Sequence, residues 1–94
     1  MLHVVAVIRF QPQHIDAGCE AMVELAKRSR SEAGCLRYDV FRPGTDPLVV
    51  TQEIWQDAAT EDAHMKGPNV AALIEKMGGA LAAPPEIHRC QQLA

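Results

Sequence analysis

The chain has 94 residues and a formal net charge of −3, which gives room for one modest hydrophobic core and not for two. Its nine basic and twelve acidic residues are dispersed, with no basic stripe or aromatic-interleaved basic patch, and this argues against nucleic acid as a partner. Hydrophobic residues make up 48% but aromatics only 4%, so buried area per residue is thin and a partner is the expected way to complete the core.

The first stretch, Leu2 to Phe10, is rich in β-branched residues and nearly continuously apolar, with His3 and Arg9 placed on one face. It reads as a strand covered on both sides. "MLHVVAVIRF" lacks a basic n-region and a cleavage site, so it is not read as a signal peptide. The longest apolar run is far too short for a membrane span, and a reduced cytoplasm is the expected location.

Pro12 breaks the strand. From Ile15 the apolar or small positions Ile15, Cys19, Met22, Ala26, Ser29 and Ala33 recur at helical spacing. Asp16 lies near the start, Lys27, Arg28 and Arg30 near the end, and Gly34 is the expected C-cap. Cys35 to Arg42 then alternates, with Leu36, Tyr38 and Val40 on one face and Cys35, Arg37, Asp39 and Phe41 on the other. "RPGTDP" is a turn, and Leu48 to Trp55 is the second arm of a hairpin.

Asp57 is the expected N-cap of a short helix reaching about Lys66, where Gly67 and Pro68 interrupt. Val70, Leu73, Ile74 and Met77 carry a second helical piece, ended by Gly78 and Gly79. "ALAAPP" connects it to a last strand over Glu86 to Leu93. The order predicts an α+β, ferredoxin-like βαββαβ domain over residues 1–94, with a four-stranded antiparallel sheet and its helices on one face. The other sheet face is left for a second copy of the chain.

Within this frame "EAGCLRYDVFRPGTDP", "EIW" at 53–55 and "DAH" at 62–64 resemble the antibiotic biosynthesis monooxygenase domain, quinol-monooxygenase-like. The resemblance implies a homodimeric α/β barrel, and oxygenation of quinols or phenolic polyketides by dioxygen with no metal, flavin or haem. Where family members often carry a second histidine after the helix break, this chain has Asn69. A mechanism that needs two histidines is thereby disfavoured. So is the haem-degrading branch, which places an asparagine in the first strand.

A cofactor-free oxygenase must make and shelter a substrate anion that can pass one electron to triplet dioxygen. A phenol with a pKa near 10 costs roughly 4 kcal/mol to ionise at pH 7, which a placed base offsets. His64 is the candidate base; its alternative is a histidine that only packs. Glu53 and Trp55 share one strand face. The indole walls an aromatic substrate or anchors the core, and the carboxylate orients a hydroxyl, holds His64 in one tautomer or makes an ion pair. Tyr38 and Asn69 complete the expected substrate contacts, Tyr38 having a structural alternative.

On the opposite strand face, Arg37 and Asp39 suit dimer register, and Arg9 suits an interface ion pair or an anionic substrate. Cys19, Cys35 and Cys90 are odd in number and far apart, and His3, His14 and His88 have no metal-ligand spacing. Cys35 reads as a small buried hydrophobe. A catalytic site of this kind calls for a cavity of roughly 300 Å³ or more. Two other functions use the same pocket: isomerisation of a small metabolite, and a dimeric small-molecule-binding or stress-response module without turnover.

Overall fold

The computed structural model describes all residues from Met1 to Ala94. Strand β1 (Leu2–Arg9) leads through a single helical turn to helix α1 (Ile15–Ser29). The hairpin β2 (Cys35–Phe41) and β3 (Leu48–Trp55) follows, then α2 (Ala58–Met65), α3 (Pro68–Met77) and β4 (Glu86–Cys90). The strands form one antiparallel sheet in the order β2-β3-β1-β4, the ferredoxin-like α+β arrangement. No helix is long and apolar enough to cross a membrane.

Strand alternation divides the chemistry between two faces. Pairing of Val4 with Glu53, Ala6 with Thr51 and Ile8 with Val49 puts these residues on the helix side, where all six are buried. With Tyr38, Trp55 and the inner faces of α1 and α3 they make the core. Val5, Val7, Val50 and Ile54 lie on the outer face, only partly buried, beside the exposed Phe41. In one chain β1 is therefore apolar on both sides but covered on one.

Four local readings are corrected. Helix α1 ends at Ser29, and Gly34 is not its cap. Residues 30–34 instead turn into β2, with Arg30 donating from Nε to the Tyr38 carbonyl at 3.1 Å. Gly34 sits in that turn at φ +79°, with Thr60 of α2 packed on it so closely that no Cβ fits.

In β2, Cys35 pairs with Trp55 and Arg37 with Ile54, so a bulge occupies Leu36. The extra residue lets Cys35 and Tyr38 both face the core and leaves Leu36 57% exposed, against the simple alternation. Strand β4 stops at Cys90, not Leu93: its pairing with β1 ends at His3, near the start of that strand. Finally, Ile74 lies in the apolar stripe of α3 but is 61% exposed, because it stands at the rim of a cavity.

Candidate active site

Helix α2 carries His64. Asp57 caps it through a reciprocal box, accepting from the Thr60 amide at 2.9 Å while the Thr60 side chain closes back on the Asp57 backbone. Three residues before His64, Glu61 is buried and takes both arms of the Arg89 guanidinium at 2.7 and 3.1 Å. That two-point contact ties α2 to β4. His64 is thereby pressed onto the sheet and is only 3% exposed.

Its imidazole lies in an aromatic cluster. The Trp55 ring is 4.6 Å away at 35° and the Tyr38 ring 5.5 Å away at 59°. Trp55 and Tyr38 meet edge to face at 6.4 Å. His64 Nδ1 is 2.9 Å from Oε1 of Glu32, in the turn after α1, and the other Glu32 oxygen accepts from Asn69 Nδ2 at 2.7 Å. A carboxylate on Nδ1 holds the proton there and leaves Nε2 as the basic nitrogen.

Glu53 does not hold His64. Its buried carboxylate accepts from the Thr51 hydroxyl at 2.6 Å and the Trp55 indole N–H at 2.9 Å, two donors on its own strand. Glu32 was missed because a turn carboxylate 32 positions from the histidine leaves no periodic signal. Its proximity arises only when α2 folds back over the end of α1.

His64, Tyr38, Glu53 and Thr51 are the polar walls of a cavity of about 100 Å³ between sheet and helices. Otherwise it is apolar, with Val4, Met22, Leu25 and Val70 among its walls. Tyr38 OH has no hydrogen-bond partner within the chain, and neither has His64 Nε2. Trp55 is fully buried and outside the walls, behind His64. Asn69 is outside as well, on the solvent side of Glu32. The compartment is smaller than the expected 300 Å³, but a second of about 300 Å³ adjoins it and shares Ile8, Leu73, Ile74 and Pro85 as walls.

Burial, and behind it the carboxylate of Glu53, pushes the Tyr38 phenol far above its usual range, so it stays a neutral donor. Burial likewise raises the Cys35 thiol, with Glu32 and Glu53 adding to the effect. A thiol so placed is a poor nucleophile. Arg9 pairs with Glu86 at 3.0 Å on the outer face, and Arg37 pairs with Asp39 there. No three His, Cys, Asp or Glu side chains converge as a metal-ligand set.

The site is a cavity between a ferredoxin-like antiparallel sheet and its helices, with a buried histidine on its wall. The family model for antibiotic biosynthesis monooxygenases matches residues 1–76, and the chain belongs to that family. Among solved structures, an antibiotic biosynthesis monooxygenase is 27% identical with a TM-score of 0.91, each chain covered over 100%. A Pseudomonas aeruginosa protein is 29% identical with a TM-score of 0.90, covering 99% of this chain and 94% of that one. A Mycobacterium tuberculosis protein shares the fold at 20% identity, TM-score 0.89, over 99% of this chain and 95% of its own. No protein of curated function matches the chain.

Proposed function

We propose that this chain is a cofactor-independent monooxygenase for a small quinol or phenolic substrate bound between sheet and helices. The observation that carries the reading is His64, buried on the wall of a mostly apolar cavity beside Tyr38, Thr51 and Glu53, with Nδ1 held by Glu32 and Nε2 free. Nε2 takes the substrate's hydroxyl proton. The imidazolium so formed sits between the substrate anion and the Glu32 carboxylate, which spares the low-dielectric site an unpaired charge. Tyr38 donates to the substrate oxygen.

The anion passes one electron to dioxygen, and the resulting radical and superoxide combine at the carbon activated by that oxygen. Loss of water then leaves one oxygen atom on the substrate as a carbonyl, with the second oxygen and two substrate hydrogens departing as water. The dry walls protect the radical pair. In this scheme Glu53 positions Trp55, Trp55 backs His64, and Asn69 positions Glu32.

The same reading includes a homodimer. The uncovered outer face, with Val5, Val7, Val50, Ile54 and Phe41, supports an interface of over about 1,200 Å² in total. Arg37→Glu should weaken it more than a charge reversal on the exposed side of α1. A folded monomer in sedimentation at low micromolar concentration would remove the dimer from the proposal.

Oxygen uptake with a single-ring hydroquinone tests the function. Consumption of one dioxygen per oxygenated product, lost in His64→Ala, is the expected result. Proton exchange on the ligand without oxygen uptake would replace it with isomerisation, and ligand-dependent melting without either would make the chain a binding module.

A further inference from the structure

The two compartments of the cavity differ in kind. The inner one, about 100 Å³, holds every polar side chain of the pair. The outer one, about 300 Å³, runs on past Phe10, Met77, Gly78 and Leu81 and has no charged or hydrogen-bonding side chain on its wall. Of the four residues common to both, Ile74 and Pro85 are exposed. The mouth therefore lies between α3 and the connector that precedes β4.

Size limits what the inner compartment takes. An apolar cavity of about 150 Å³ accommodates one benzene ring; at about 100 Å³ the space beside His64 admits a single ring only if part of it sits in the opening shared with the outer compartment, and it admits no second fused ring. Anything further on the substrate must extend into the outer compartment. A charge there would be desolvated without a partner, whereas an apolar chain would exchange water for Ile8, Phe10, Met77 and Leu81. A second copy of the chain is a poor occupant, since the bare apolar surface of the sheet is on the opposite face.

We infer that the substrate is a single-ring phenol or quinol with an uncharged apolar substituent, its ring beside His64 and its chain in the outer compartment. This rests on the proposed function for the identity of the ring, but the chain site stands or falls by binding alone. Gly78 offers a way to fill that site. It has φ −57°, and a Cβ there meets only Ile74 Cγ2 at an ordinary 3.6 Å, so Gly78→Leu places a side chain at the compartment wall without backbone strain.

Calorimetric titration without oxygen, using phenol and a series of 4-n-alkylphenols, tests the inference independently of turnover. The dissociation constant should fall about fourfold per methylene until the compartment is full. Gly78→Leu should flatten the series while leaving phenol itself bound as before, and a terminal carboxylate on the chain should abolish the gain. Ile74→Asp, at an exposed position on the wall common to both compartments, should weaken the long-chain members by more than tenfold. No gain with chain length, or a gain that survives both substitutions, would overturn the inference. So would dissociation of a dimer by Gly78→Leu with the alkyl series unchanged, which would make the compartment a subunit contact. Alkylphenol binding without any quinol oxidation would count against the proposed oxygenase and leave the chain site standing.

Discussion

Glu32 and His64 lie 32 positions apart in the chain and meet through one hydrogen bond of 2.9 Å between Oε1 and Nδ1. The bond runs from the turn after α1 to the buried face of α2, and Asn69 at the start of α3 closes the far side of the carboxylate. Three successive helical elements are thus joined at one charged group, and the orientation of the histidine is a property of their packing.

Replacing the proposed base should slow turnover severely. His64→Ala is expected to lower kcat by a factor of about 10² to 10⁴, the usual size of general-base assistance. Because His64 is buried and its loss leaves Glu32 Oε1 without a donor, stability should also fall, by about 1–3 kcal/mol. Raising the pH toward the substrate's own pKa should restore part of the rate, since solvent then supplies the anion. Wild-type turnover in His64→Ala at pH 7 would remove the base assignment.

Glu32→Gln separates positioning from packing. The amide keeps the shape and can still accept from Nδ1, but a neutral acceptor binds the imidazolium about 1–1.5 kcal/mol less strongly than a carboxylate. About a tenfold loss in kcat with KM little changed is expected. Nitrogen NMR should show the Nδ1–H tautomer of His64 dominant in the parent protein and mixed with the Nε2–H form in Glu32→Ala. An unchanged tautomer would show that something other than Glu32 fixes the ring.

Tyr38 is the only tyrosine, so phenolate absorbance reads it alone. Below its ordinary pKa of about 10 the phenol is neutral in the folded and the unfolded chain, and the benefit of burying it neutral is fully present. Above that pH the unfolded chain releases the proton while the folded one keeps it, so stability falls by up to about 1.4 kcal/mol per pH unit. Cys35, also raised by burial, adds a loss of the same sign from about its ordinary value of 9. Phenolate should appear only with unfolding, and Tyr38→Phe should remove its share of the slope. Titration of the phenol near pH 10 in a protein still folded by circular dichroism would contradict the buried placement.

Gly34→Ala should cost about 1–3 kcal/mol. The residue has a positive φ, and a Cβ would lie 2.5 Å from Thr60 Cγ2. Thr60 belongs to the cap of α2, so the displacement is passed to the helix that carries His64. Denaturant melts should show the loss, and ligand affinity should fall with it. A neutral effect would mean that the turn relaxes without moving α2.

The element order and the pocket side of the sheet were legible from the sequence because each rests on a local signal. A β-rich run after the "RPGTDP" turn marked β3, Asp57 marked the start of α2, and Gly67-Pro68 marked the break before α3. What was not legible depends on pairing between distant segments. The bulge at Leu36 exists only relative to β3, and it moved Cys35 to the core side. Sequence spacing points to Glu53, two residues from Trp55 on the same strand face, as the partner of His64. A strand neighbour already engaged by Thr51 and Trp55 is a poorer orienting group than a turn carboxylate with one oxygen to spare.

Trp55 is the only tryptophan in the chain. It is fully buried, and its ring rests against the His64 imidazole. Indole emission is quenched more by a charged imidazolium than by a neutral ring, so the unlabelled protein carries its own optical gauge of the base. The intrinsic fluorescence should fall when a bound substrate passes its proton to His64 and respond when a ligand enters the adjoining cavity. The same emission would thus follow binding in the stopped-flow time range, before any product has formed.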